Sequence, residues 1–188
     1  MCGRFFLDTN IAEIISKYDD FQELTREING GEIFPTDRIG IIIGGEKQTY
    51  VPYKWGYTPS FAKRPLINAR SESVLDKSTF RDSVLKRRCI VPATCYYEWK
   101  GEKGHKEKYA IYSKNEALIS MAGIYDIEKE EFTILTRKAV DNISFIHDRM
   151  PLILEGDLVK MWLNPKNKEG VIRAILEYSC NNLGFKLA

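Results

Sequence analysis

The sequence predicts a single α+β domain dominated by antiparallel strands. Three observations carry that prediction. Short runs rich in β-branched and aromatic residues recur along the chain, separated by Gly, Pro and Asn turn signals. Helical periodicity is confined to a few brief stretches. No repeat, low-complexity segment or linker divides the 188 residues, so one domain over residues 1–188 is expected.

Cys2–Leu7 reads as a short strand. Asn10 has the character of a helix N-cap with Glu13 completing a capping box, and Ile11, Ile14, Ile15 and Tyr18 recur at helical spacing. Asn29-Gly30-Gly31 marks a turn. Arg38–Ile43 and Lys47–Trp55 form a hairpin across Gly44-Gly45. Gly56–Pro65 is loop, and Leu66–Arg70 is a short apolar run ending in polar residues. Ser78–Arg88 is helical, with Phe80, Val84 and Leu85 on its apolar face. Cys89–Val91 and Cys95–Trp99 read as strands separated by Pro92. Lys100–Lys108 is a charged hairpin tip with His105 exposed in it. Lys108–Tyr112, Ala117–Tyr125 and Glu131–Thr136 form a meander, and Lys138–Ile146 is partly helical. Pro151–Leu154 is a strand, Asp157–Trp162 and Lys168–Tyr178 are helices, and Leu183–Leu187 is a closing strand.

Composition narrows the function classes. The net charge is only +2, so a nucleic-acid site would have to be a local patch. The four Cys (Cys2, Cys89, Cys95, Cys180) contain no CxxC pair, and the two His complete no zinc-finger spacing, so neither metal nor cofactor is expected. Arg4 and Asp8 interrupt the only apolar start, and no apolar run reaches the roughly 20 residues that cross a bilayer. A cytoplasmic, monomeric protein with reduced cysteines, and no membrane partner, is the expectation.

Met1-Cys2-Gly3-Arg4-Phe5 carries unusual chemistry. Removal of Met1 would leave an α-amine and a thiol on adjacent carbons of Cys2. The amine condenses with an aldehyde to an imine, and the thiol then closes a five-membered thiazolidine. An α-amine has a pKa of about 7.7–8.0, so a useful fraction is nucleophilic near neutrality. A cation such as Arg4 would lower both pKa values further.

Three further motifs follow: Asn68-Ala69-Arg70, Tyr96-Tyr97-Glu98-Trp99 and His147-Asp148-Arg149-Met150-Pro151. Together with the Cys2 terminus the sequence closely resembles the SOS-response-associated peptidase (SRAP) family of abasic-site processing proteins. Phe34-Pro35-Thr36, Lys54–Ser60 and Arg88–Ala93 match as well, and the matches run in order from residue 2 to about 154. The resemblance implies a twisted, barrel-like sheet structure flanked by helices. It implies binding of single-stranded DNA that contains an abasic site, and a stable thiazolidine crosslink through Cys2. It also implies peptidase activity on residues ahead of the cysteine.

Each candidate has a chemical reason and a structural alternative. Opening an abasic hemiacetal and expelling water from the carbinolamine both need a general acid/base near neutral pKa. Glu98, among Tyr96, Tyr97 and Trp99, would be raised into that range by desolvation; alternatively it is a solvent-facing strand Glu. His147 could shuttle the same proton or simply hold a nearby carbonyl. Asn68 could hold the Cys2 amine against the sugar, or be a turn residue. Arg4, Arg70 and Arg149 are candidate phosphate clamps, with Arg149 alternatively tying motifs together by a salt bridge. Lys77, Arg81, Arg87 and Arg88 could extend a basic groove or be helix-surface charges. Trp55 and Tyr57 could stack on flanking bases, although core packing is the commoner fate of Trp. Two rival readings remain: a cysteine peptidase acting on proteins through Cys2, Glu98 and His147, and a non-catalytic single-strand binder.

Overall fold

The computed structural model describes residues 2–8, 18, 21–24, 30–45, 47–102 and 104–188. The helix expected over Asn10–Tyr18 lies outside them except for Tyr18, which is buried and hydrogen-bonded to Ser120 at 2.8 Å.

In chain order the first strands are β1 (Phe5–Leu7), β2 (Phe21–Leu24), β3 (Gly31–Ile33), β4 (Arg38–Ile43), β5 (Gln48–Trp55) and β6 (Asn68–Arg70). Helix α1 (Ser78–Lys86) leads into β7 (Arg88–Ala93), β8 (Cys95–Glu102), β9 (His105–Ser113), β10 (Ile119–Asp126) and β11 (Glu131–Lys138). Then come α2 (Asp141–Ser144), β12 (Arg149–Pro151), β13 (Ile153–Leu154), α3 (Asp157–Leu163), α4 (Glu169–Leu176) and β14 (Leu183–Leu187).

The strands make two sheets. The smaller runs β14-β9-β8-β1-β3, all neighbours antiparallel. The larger runs β12-β11-β10-β7-β4-β5-β2, with β13 on β10 and β6 on β11. A parallel pairing of β5 with β11 makes the path through β10, β7 and β4 return on itself. The mainly antiparallel α+β architecture agrees with the prediction.

The β-branched run of β4 explains its burial on both faces. Gly40 is required there, because a Cβ at that position would sit 1.6 Å from the Tyr50 ring. Pro92 was expected to separate two strands, yet β7 continues through it to Ala93. The β4 partner covers only Cys89 and Ile90, so the missing Pro92 donor breaks no ladder on that side. The expected tip at Lys100–Lys108 is tighter than its composition suggests, with β8 reaching Glu102 and β9 starting at His105. Only Asp141–Ser144 of the stretch Lys138–Ile146 is helical.

Two apolar clusters hold the layers together. One, including Phe5, Trp55, Tyr96, Met121 and Phe132, fills the space between the sheets. The other packs α1, α3 and α4 on the outer face of the large sheet through Phe80, Val84, Trp162, Ile172 and Ile175. Burying side chains of this size contributes about 1.5–3 kcal/mol each.

Arg88 is the one buried Lys or Arg among the described residues and has no carboxylate partner among them. Its guanidinium donates to the carbonyls of Val84, Leu85, Trp162 and Asn164 at 2.5 to 2.9 Å. It thereby satisfies the C-terminal carbonyls of α1 and α3, where the helix dipole favours a cation. Arg81 and Arg87 are engaged by Glu169 and Asp82 at 2.8 and 2.7 Å. A groove formed by Arg81, Arg87 and Arg88 is therefore not what the fold builds. Arg88→Ala should cost about 3 kcal/mol of stability, read as a lower urea midpoint with an unchanged m-value, because it strands four carbonyls at once.

Candidate active site

The start of the chain is gripped from three directions. β1 is paired on one side with β3 and on the other with β8. The Arg4 carbonyl accepts from the Tyr97 amide at 2.9 Å. The Cys2 carbonyl accepts from Asn68 Nδ2 at 2.8 Å. Asn68 opens β6, which is hydrogen-bonded parallel to β11 at Ile134, so this bond joins the small sheet to the large one. The sequence reading gave Asn68 the Cys2 amine to hold; in the fold it holds the carbonyl instead.

Cys2 is fully buried. Its thiol is pushed well above the ordinary range, chiefly by burial and also by the charge of Glu98. The hydrogen bond from Sγ toward the Arg4 carbonyl, at 4.0 Å, opposes that shift weakly. Glu98 lies on the inward side of β8 and is 3% exposed, so it is not a solvent-facing strand residue. Burial raises its pKa, and the nearby His147 works in the opposite direction. Tyr96, two residues earlier on the same face, is raised by burial and feels both Cys2 and Glu98. The fold therefore brings Cys2, Asn68, Glu98 and His147 together.

His147 is half-buried, and two groups compete for its Nδ1. The Arg149 amide lies 3.0 Å away and Asp148 Oδ1 2.8 Å. Nδ1 accepts from the first or, when protonated, donates to the second; it does not do both. The amide is fixed by the backbone of β12, whereas the Asp148 side chain is 85% exposed and screened by water. We therefore favour the amide, which leaves the proton of the neutral ring on Nε2. Two buried polar atoms near this centre, Asn68 Oδ1 and Tyr96 Oη, have no hydrogen-bond partner among the described residues. Such atoms cost roughly 1–3 kcal/mol each and mark a place built to receive a polar group.

The arginines differ. Arg149 makes a bidentate pair with Glu72 at 2.6 and 2.8 Å and also donates to the Thr136 carbonyl at 2.7 Å. This is the structural tie between motifs, and the pair draws the Glu72 carboxyl down to about 2. Arg70 is exposed at the end of β6. The Arg4 guanidinium lies 4.3 Å from the Phe34 ring centroid and 5.0 Å from that of Trp99.

The stacking expectation for Trp55 and Tyr57 is corrected by their burial. Trp55 is 0% exposed, packs on Phe5 at 5.1 Å and donates to the Ile67 carbonyl at 2.9 Å. Tyr57 is 7% exposed, with its hydroxyl on Ser83 and its ring on Phe80. Neither has a face to offer a base. The accessible aromatics beside Arg4 are Phe34, Tyr97 and Trp99, with Lys108 Nζ 3.7 Å above the Tyr97 ring, while Phe61, Phe145 and Phe185 are exposed as well. Sequence reasoning passed over this platform. Strict alternation along β8 was the available signal: if Tyr96 and Glu98 face inward, Tyr97 and Trp99 face out.

Among the described residues no helix is long and apolar enough to cross a membrane, and no cluster of three or more His, Cys, Asp or Glu side chains could hold a metal.

Fold and site together define a two-sheet α+β protein with a buried thiol, a buried carboxyl and a half-buried imidazole gathered around Cys2. The chain belongs to the SOS response associated peptidase (SRAP) family, which it matches over residues 1–184. It is 35% identical over 187 residues to abasic site processing protein YoaM of Bacillus subtilis, covering 89% of this chain and 81% of that protein. It is 30% identical over 182 residues to abasic site processing protein YedK of Escherichia coli, covering 87% and 79% respectively. Among solved structures, a phage-related protein from Bordetella bronchiseptica superposes with a TM-score of 0.80 at 22% identity, covering 100% of this chain and 94% of that one.

Two outcomes follow from the carboxyl groups. The raised Glu98 pKa means its protonated form stabilises the fold at low pH, and that contribution is lost as pH climbs above about 4.5 through the folded value. Melting temperatures of wild type minus Glu98→Gln should therefore fall between pH 4.5 and 8. Glu72 has the opposite sign: its contribution is present above about 4.5 and disappears as pH drops toward 2. Glu72→Gln should flatten that acid limb, by a modest amount because Glu72 is half exposed.

Proposed function

We propose that this protein captures abasic sites in single-stranded DNA by forming a thiazolidine between Cys2 and the ring-opened sugar. The observation that carries the reading is the gathering of a buried Cys2 with Glu98, His147 and the Asn68 amide that fixes its backbone.

While Met1 is attached, the Cys2 nitrogen is an amide and cannot form an imine. Its removal, by an aminopeptidase or by the chain itself, supplies the nucleophile. The sugar is mostly a closed hemiacetal, so a proton must reach its ring oxygen to release the aldehyde. Glu98, kept protonated to higher pH by burial, is suited to give it. The amine then adds to the aldehyde carbon, and the carbinolamine loses water to leave an imine. Glu98, whose proton is restored by the sugar's C1 hydroxyl as the aldehyde forms, protonates the departing hydroxyl so that it leaves as water. His147, with a hydrogen on Nε2, is suited to hydrogen-bond that hydroxyl. Last, Cys2 Sγ attacks the carbon of the protonated imine: the C–S bond forms as the C=N π bond breaks and its electron pair passes to nitrogen. The thiol proton goes to Glu98, which became a carboxylate when it protonated the departing hydroxyl.

The shifts set the order of events. Burial keeps the thiol protonated, so the amine acts first and sulfur last. A peptidase acting on proteins through this cysteine would need a resting thiolate, which this environment disfavours.

Arg4 and Arg70 are the proposed phosphate contacts, with Phe34 and Trp99 offering faces for stacking. A single strand suits this site because exposing the sugar within a duplex would cost a further few kcal/mol of unstacking.

Intact mass spectrometry of the Met1-processed protein with an abasic oligonucleotide should show an adduct of the summed mass minus one water. Cys2→Ala should abolish the adduct on a denaturing gel, and its persistence would falsify the thiazolidine. Cys2→Ser should retain only an imine that borohydride traps. Glu98→Gln should slow adduct formation roughly 10²- to 10⁴-fold, the usual range for losing a general acid. Efficient hydrolysis of unrelated peptides would favour the protein-directed peptidase instead.

A further inference from the structure

Arg4 and Lys108 share a single carboxylate oxygen. Glu32 Oε1 lies 3.3 Å from Arg4 Nη1 and 2.7 Å from Lys108 Nζ. Glu32 stands on β3 opposite Phe6, and Lys108 stands on β9 opposite Trp99, so four strands of the small sheet converge on this point. All three side chains are about one-third exposed or less, at the edge of the aromatic platform. Lys108 Nζ lies 3.7 Å from the Tyr97 ring centroid and 5.8 Å from that of Trp99.

The protein contains its own standard of comparison. Arg149 grips Glu72 with both forks at 2.6 and 2.8 Å, a closed pair. Arg4 meets Glu32 through one nitrogen only, at 3.3 Å; its Nε, like that of Arg149, is buried with no partner among the described residues, so the contrast lies in the Nη contacts. A guanidinium used this incompletely can still take a second oxygen. A carboxylate presents two oxygens in a plane. A phosphodiester presents its two non-bridging oxygens tetrahedrally and carries a full charge. One phosphate oxygen could meet both Arg4 nitrogens while the other meets Lys108.

We propose that Glu32 occupies the seat of a DNA backbone phosphate between Arg4 and Lys108, and that strand binding displaces it. Glu32 is thus a threshold device. Incoming DNA must break two weak ion pairs before it gains the phosphate contact, which tunes affinity down and favours strands held simultaneously elsewhere along the platform. The inference rests on the single-stranded DNA reading above and adds a residue whose sign is opposite to that of every other contact in it.

The test is anisotropy titration of a fluorescent, lesion-free oligothymidylate against wild type, Glu32→Gln, Arg4→Ala, Lys108→Ala and the Glu32→Gln/Lys108→Ala double variant. Two exposed ion pairs released on binding correspond to roughly three- to tenfold tighter binding of Glu32→Gln at low salt. Its plot of log affinity against log salt, from about 50 to 200 mM, should steepen by about 0.7, the equivalent of one added phosphate charge on a single strand. The gain should shrink in the Lys108→Ala background, which separates a local exchange from mere loss of one negative charge. Weaker binding by Glu32→Gln means that Glu32 props Arg4 in place, and the proposal falls. Unchanged binding, with Arg4→Ala and Lys108→Ala both weakened, also overturns it while leaving the DNA reading intact. No binding of the lesion-free strand by the wild-type chain overturns this inference, while the abasic-site reading is judged separately by the adduct assay.

Discussion

One side-chain amide, Asn68 Nδ2, donates to the carbonyl of Cys2 and in doing so ties the small sheet to β6 and hence to β11 of the large one. Chain termini are ordinarily the least ordered part of a domain. Here the first residues are held by that bond, by the amide of Tyr97 and by strand pairing on both flanks of β1. The reactive arrangement depends on this constraint. A thiol placed within the field of Glu98, and a carboxyl within the field of His147, have perturbed chemistry only because the backbone that carries Cys2 cannot drift into solvent.

The small sheet uses its two sides differently. Its inward residues, Phe5, Tyr96, Glu98 and Ile111, are buried and put one carboxyl among core side chains. Its outward residues, Arg4, Glu32, Tyr97, Trp99 and Lys108, form a platform of rings and charges. Period-two alternation along β8 is what makes this division possible: neighbouring positions in Tyr96–Trp99 serve opposite tasks. A one-residue slip of that strand would bury the tryptophan and expose the carboxyl.

Much of this was legible in the residues. The strands of the meander and the helices with apolar stripes could be read from local pattern, and the motif carriers Cys2, Asn68, Glu98 and His147 from the resemblance to the family. What could not be read was burial that depends on distant partners. Trp55 looked available because its neighbours are loop-like, yet Phe5 and the Ile67 carbonyl enclose it. Arg149 looked like a phosphate ligand until Glu72, far away in sequence, closed on it. Arg88 looked like surface charge, but two helix ends converge there. Glu32 and Lys108 carry no motif, and only the register of β1, β3, β8 and β9 shows that they meet.

All four cysteines are buried, Cys2 and Cys89 completely. Peroxide attacks thiolates that solvent can reach, and sulfenic, sulfinic and sulfonic acids follow from there. A sulfur kept neutral and covered escapes that ladder. The conditions that oxidise exposed thiols would therefore leave that of Cys2 reduced, so the thiol that the proposed chemistry calls for would outlast an episode of oxidative stress.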